Sequence, residues 1–265
     1  DRDGQVVAAH ASGFIQGIDH LRILDAVDAR GASVVMVHRV GQFVVEGQPL
    51  ARVLPASAAA PLAGELHHAV EIGPWRTQRQ DAEYAIYQVV EIAIRALSPA
   101  VNDTFTGMVC VDWLGAALVR MGREPDHNGG LSGADGRVGL YLPPLRFERA
   151  VRAAFDLIRQ AGAANPAISI RLLDVIATTA IDVRPEHRPA LRAAADQVLG
   201  DTGVDAELAR RVGDPGDPLA LLLQDPLGDG AGGGRVGARL AGHGLGWGRP
   251  PPLGLKGGTH GPGGG

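Results

Sequence analysis

The chain predicts an α+β fold. Three observations carry this: residues 1–54 are short β-branched runs broken by glycine turns, the spacing turns helical from Trp75, and the two kinds of segment follow one another rather than alternate. The expected organisation is a β-rich unit with one short helix at 1–54 and a linker at 55–64. One strand and then a helical domain follow at 65–212, with a Gly/Pro-rich tail at 213–265 whose composition predicts disorder.

Each element has a local reason. "SGFIQGID" reads as a strand ending at Asp19, a side chain suited to cap "HLRILDAVDARG", with Gly31 as the stop. "SVVMVHRVGQFVVEGQPLARVLP" reads as three strands, Ser33–His38, Gln42–Val45 and Leu50–Leu54, with turns at Gly41 and "EGQP". "PASAAAPLAG" has linker composition. "ELHHAVEIG" alternates as a half-buried strand, which puts His67 and His68 on opposite faces and unable to chelate one metal. Thr77 and Gln80 form a capping-box pair opening a helix to about Leu97. A second helix is expected over Thr104–Met121, followed by a glycine-rich loop, "HNGGLSGADGRVG". "LRFERAVRAAFDLIRQAG" sets Phe147, Val151, Phe155 and Ile158 on one helical face. Asn165 and Pro166 open the next helix, Pro185 to about Leu199 forms another, and "DAELARRV" adds a turn or two. The tail holds about half of the chain's 38 glycines, too little apolar substance to offset ordering entropy.

Composition narrows the function classes. A net charge of -4 argues against a binder that depends on phosphate contacts, so no nucleic-acid partner is expected. The single cysteine, Cys110, rules out a disulfide framework or a cysteine-rich zinc site within one chain. It lies in an apolar helical run, where free cysteines are inert core residues. No HExxH, GxSxG or phosphate-loop pattern occurs, and no cofactor, metal site or catalytic residue is assigned. No stretch reaches the roughly 18–20 uninterrupted apolar residues that span a bilayer; the best candidate, "YAIYQVVEIAIRAL", is broken by Gln88, Glu91 and Arg95. The chain opens on "DRDGQVV" without a methionine, and the expectation is of a fragment whose membrane segment lies upstream.

Two places could carry chemistry. Asp81, Tyr84, Gln88, Glu91 and Arg95 follow a three-four spacing and form a polar stripe on an otherwise apolar helix. Glu91 and Arg95 stand in the favourable i,i+4 order, as a solvated pair or as part of a buried polar network, with the solvated reading favoured. The second place is the helix corner, "ALSPAVNDTFTG". Ser98, Asn102, Asp103 and Thr106 either serve backbone N–H groups or hold a ligand, with the capping reading favoured. The candidate ligand-binding set is therefore Asp81, Glu91, Arg95, Ser98, Asn102, Asp103 and Thr106. Asp112 is a helix-face acid or a buried partner for an arginine such as Arg76 or Arg95.

Two resemblances follow from these residues. "VGQFVVEGQPLARV" resembles the hammerhead turn of biotinyl and lipoyl carrier domains, but no lysine stands in it to be modified, so only strand geometry could be shared. The longer run has Arg76-Thr77, Gln80-Asp81, Arg95 to Pro99, Asn102-Asp103, Thr106, Cys110 and Asp112. It resembles a bacterial family of predicted membrane proteins, domain of unknown function 2254. "SGFIQGID" and "GQFVVEGQPLARV" fit the same family, so the likeness covers about 6–212. It departs at Ala100-Val101, where a glycine is common, and in the tail.

The resemblance implies membrane helices outside this chain. This piece would be the extramembrane part of a multi-pass protein of the bacterial inner membrane, cytoplasmic if the number of spans is even. Its expected role is interaction, assembly or regulation rather than catalysis. Its expected partners are its own membrane domain and further copies of itself. The alternative is a ligand- or ion-binding site at the Ser98–Thr106 corner.

Overall fold

The computed structural model describes residues 4–134, 136–202, 214 and 216–224. The chain runs β1 (Gln5–Ala8), β2 (Gly13–Ile18), α1 (His20–Asp28), β3 (Ser33–Met36), β4 (Phe43–Val44) and β5 (Pro49–Leu54). A 3₁₀ turn (Ala56–Ala58), α2 (Ala59–Ala69), β6 (Val70–Gly73), α3 (Ala82–Ala96) and α4 (Thr104–Gly122) follow. The hairpin β7 (Gly130–Ser132) and β8 (Val138–Tyr141) precedes α5 (Phe147–Ala161) and α6 (Pro166–Asp182). A 3₁₀ turn (Pro185–His187), α7 (Arg188–Thr202) and α8 (Pro218–Gln224) complete it. Strands come early and helices late, and the fold is α+β.

One sheet has the order β1-β5-β3-β8-β7, antiparallel except where β3 runs parallel to β8; a second has the order β4-β2-β6. Helices α1 and α2 close the first core, in which Ile15, Ile23, Val27, Met36, Leu50, Leu62, Leu66 and Leu140 are buried together. The second core belongs to the bundle from α3 onward and centres on Val111, Leu114, Leu118, Phe147, Phe155, Ile158, Leu172 and Ile176. At Gly115 the bundle closes tightly, because a Cβ there would run into Val175 of α6.

Four local expectations are corrected. Pro55–Gly64, expected as a linker, folds into the 3₁₀ turn and the first half of α2, which buries Ala59, Leu62 and Leu66. The alanines there favour helix once a sheet is present to cover one face. His67 and His68 consequently sit in the last turn of α2, and the strand begins only at Val70. The loop expected after α4 contains the β7–β8 hairpin, and β8 inserts beside β3. The tail expected from residue 213 contains α8, whose Leu219, Ala220 and Leu222 are buried in the bundle. The expected helix at "DAELARRV" lies outside the described residues.

Among the described residues, α4 is long and apolar enough to cross a membrane by length and composition, with a mean hydropathy of 1.2 over its best window. Thr104, Thr106 and Asp112 interrupt its apolar run. Val111, Leu114 and Leu118 pack inside the bundle, while Phe105, Val109 and Trp113 face out.

Candidate functional site

The corner between α3 and α4 is built from side chains that answer their own backbone. The Ser98 hydroxyl donates to the Arg95 carbonyl at 2.7 Å. The N–H of Asn102 returns to the Ser98 carbonyl and that of Asp103 to the Ala96 carbonyl, each at 2.8 Å. Asn102 adopts φ 50°, a left-handed conformation that asparagine tolerates and that reverses the chain here. Asp103 then caps α4: its Oδ1 accepts from the Thr106 N–H at 3.0 Å, and its Oδ2 accepts from the Thr106 hydroxyl. Those hydrogen bonds, the hydroxyl's first and the amide's next, hold the Asp103 carboxyl below the ordinary aspartate value. From the other side, Asn165 caps α6 with its Oδ1 and donates from Nδ2 to the Thr104 hydroxyl at 2.8 Å.

The polar stripe does not join this corner. Asp81 is the N-cap of α3, accepting from the Tyr84 N–H at 3.0 Å. Fifteen residues of helix separate it from the corner, a length of about 22 Å at 1.5 Å per residue. Glu91 and Arg95 form an exposed i,i+4 pair at 2.5 Å, in keeping with the solvated reading. Of the seven candidate residues, Ser98, Asn102, Asp103 and Thr106 come together. Arg95 and Glu91 lie just before them on the surface, and Asp81 belongs elsewhere. Thr77 and Gln80 do not form the expected capping box. They bond the β2 backbone instead, Thr77 at the Gln16 carbonyl and Gln80 at both the N–H and carbonyl of Ile18. Asp112 pairs with neither Arg76 nor Arg95; it takes a two-point grip from Arg171 of α6, both bonds 2.7 Å.

Among the described residues two acids are buried: Asp81, one of the seven candidates, and Glu83, which was not among them. Glu83 is 3% exposed and sits between three guanidinium groups. Arg149 Nε of α5 lies 2.6 Å from Oε1, Arg39 from the loop after β3 bonds Oε2, and Arg76 Nη2 lies 3.5 Å from Oε2. Arg76 also donates from Nε to Asp81 Oδ2 at 2.8 Å, while its Nη2 lies 2.6 Å from the same oxygen in poor alignment for a hydrogen bond. Its guanidinium stacks against Tyr84 and Tyr87 at 5.2 and 5.4 Å from the ring centres. Burial pushes the Glu83 carboxyl up, but hydrogen bonds and charge from Arg39 and Arg149 outweigh it and hold the carboxyl below the usual glutamate value. Gly41 (φ 85°) passes so close that a Cβ there would overlap the Asp81 carboxylate. A sequence signal for Glu83 existed: it falls seven residues before Val90, on the buried face of α3.

An ionised carboxylate locked between arginines is a poor proton carrier, so this cluster fastens the sheet layer to the bundle rather than doing acid–base chemistry. Cys110 is buried, and burial pushes its thiol up, away from the reactive thiolate. No group of three or more His, Cys, Asp or Glu side chains that could hold a metal occurs among the described residues. A groove of about 460 Å³ runs between α5 and α7, past Arg146, Arg152, Asp156 and Gln197. Its one buried titratable group, His187, donates from Nε2 to the Glu124 carbonyl and stacks on Phe147.

Beside their self-bonded polar groups, the corner and α4 present apolar side chains to solvent. Val101, Phe105, Val109 and Trp113 are 60%, 81%, 52% and 69% exposed and recur every fourth residue through the corner and along α4.

Residues 1–178 match the family described as Predicted membrane protein (DUF2254). An uncharacterised protein of Mycobacterium tuberculosis and one of Mycobacterium bovis are each 28% identical over 197 residues, covering 72% of this chain and 38% of theirs. The chain thus spans well under half the length of the curated relatives it matches. No solved structure matches.

Proposed function

Because the chain belongs to the DUF2254 family of predicted membrane proteins, we propose that it is an extramembrane part of a multi-pass bacterial membrane protein and acts by contact with other protein surfaces. One observation carries this reading. The corner's hydrogen-bonding groups serve their own backbone, and what faces solvent is Phe105, 81% exposed, with Val109 and Trp113 on the same face of α4 and Val101 exposed before it. Exposed apolar patches of several hundred Å² mark interaction sites more often than chance surface. Assembly or regulation of the membrane part is the role such a surface serves. An even number of preceding spans would put the domain in the cytoplasm, which a reporter fused to its C-terminus reads directly.

A photo-crosslinking residue at position 105 of the full-length protein in its own membrane tests the reading, with the same residue at exposed Glu148 as control. A discrete adduct from position 105 and none from 148 is expected; equal labelling at both would sink the contact reading. The competing ligand reading is tested by thermal shift with phosphate, magnesium and nucleotides. Stabilisation that disappears in Asp103→Ala would favour a ligand site; no shift is expected.

A further inference from the structure

We propose that the groove between α5 and α7 binds a linear diamine, an aliphatic chain with an ammonium group at each end. This site is separate from the contact surface above, which lies on α4. The groove exists because α7 lines it with Ala190, Ala193 and Ala194, side chains too short to fill the space beside α5. Phe147 and Val151 of α5, both buried, give it an apolar floor. At about 460 Å³ it falls within the roughly 300–1,000 Å³ typical of small-molecule sites.

Its charges do not cancel. Four carboxylates line it, and three have arginine partners: Asp126 with Arg146, Glu148 with Arg152 and Glu186 with Arg184. Asp156 is the fourth. Half-buried on α5, it takes no hydrogen bond or ion pair among the described residues. A second unmet group lies toward the other end of the groove. His187 is 5% exposed and donates from Nε2 to the Glu124 carbonyl, so Nδ1 of the neutral ring carries a lone pair and accepts. Nδ1 has no partner, yet it is not sealed in: the enclosed side-chain atoms without one, among the described residues, belong to Arg76 and Arg159. His187 borders the groove, so that lone pair opens onto it. The ring stacks on Phe147, nine residues before Asp156, which is about 13 Å along α5 at 1.5 Å per residue. Two acceptors at that separation over an apolar floor match a hydrocarbon chain with a donor at each end. A six-carbon diamine spans about 9 Å between its nitrogens, and about 15 Å with a hydrogen bond at either end. Anions are disfavoured, because both unmet groups accept. An ammonium group supplies the donors and the positive charge that Asp156 lacks, in a charge-assisted hydrogen bond.

Isothermal titration calorimetry of the whole 265-residue chain at low salt is the test, with diaminohexane as the probe. Saturable binding with a dissociation constant below about 1 mM is expected. Hexylamine, with one ammonium group, should bind about tenfold more weakly or worse, and hexanediol should give no heat. Asp156→Asn is expected to weaken diamine binding about tenfold or more. Ala193→Leu, at an exposed position in the lining, should fill the groove and abolish binding. Neither substitution removes a contact within the chain, so both variants are expected to keep the parent's melting temperature. Should Asp156→Asn fail to fold, Ala193→Leu decides alone. Glu91→Gln removes the same charge from α3, away from the groove, and is expected to leave the affinity unchanged. No heat at about 10 mM diamine, or equal affinity for diaminohexane and hexylamine, overturns the proposal. So does binding indifferent to Ala193→Leu. An equal loss in Glu91→Gln also overturns it, since that marks a general attraction of cations to a chain of net charge -4. None of these outcomes touches the crosslinking result at position 105.

Discussion

Glu83 is the side chain on which most depends. It is buried, and it answers guanidinium groups from the loop after β3, from the segment before α3 and from α5. Removing its charge leaves those arginines partly desolvated without a counter-ion, so Glu83→Gln is expected to cost about 3–5 kcal/mol in urea titration. Glu91→Gln, on the same helix but in a solvated pair, is expected to change stability by no more than about 0.5 kcal/mol. The sign of the pH effect follows from the direction of the Glu83 shift. Its carboxyl is held below the ordinary value of 4.5, so its contribution is present above that pH and is lost as pH falls through the folded value. Acid titration of the melting temperature should therefore show a steep loss below about pH 4.5 that is blunted in Glu83→Gln. Glu83 stands alone on the oily face of α3, outside the polar stripe, so local pattern gives it little prominence. Nothing in the local sequence says that Arg39 on a loop and Arg149 on a helix 110 positions later point at one carboxylate.

At the scale of elements, helix ends were readable and their partners were not. Asp19, Asp103 and Asn165 cap helices where the sequence indicated that such side chains could, since a cap bonds an N–H only two or three residues away. Asp103→Ala should lower the melting temperature and Asp103→Asn should restore most of it, because the cap needs an acceptor rather than a charge; paired thermal melts check this. Thr77 and Gln80 had the right spacing for a capping box, yet they bond the β2 backbone. The β2 backbone, 61 and 62 residues away, won those groups, and spacing is blind to that competition. The same blindness hid the β7–β8 hairpin, whose three and four residues gain stability only by pairing with β3. It also hid α8, seven residues that no isolated helix could sustain but that the bundle receives. Leu219→Ala should thus cost about 2–5 kcal/mol, as for any leucine lost from a closed core, and a denaturation midpoint reads it directly.

For the molecule as a whole, two hydrophobic cores are joined by the charged cluster at the start of α3 and by Gln80 and Thr77 on β2. The described residues fall within one compact unit, Asp1–Asp229. The parent chain is expected to show coincident urea transitions by circular dichroism and by tryptophan fluorescence. Arg39→Ala combined with Arg76→Ala is expected to separate them, because each core would then melt with its own midpoint. By itself the sequence determined the α+β class, the positions of the long helices, the caps of α1, α4 and α6 and the family, since each is written in spacing of a few residues or in a long collinear match. Only the tertiary structure decided which polar residues are buried, which short segments join the sheet, and which side of α4 stays uncovered. Those depend on what packs against each face, and burial is a property of neighbours distant in the chain, which local periodicity does not encode.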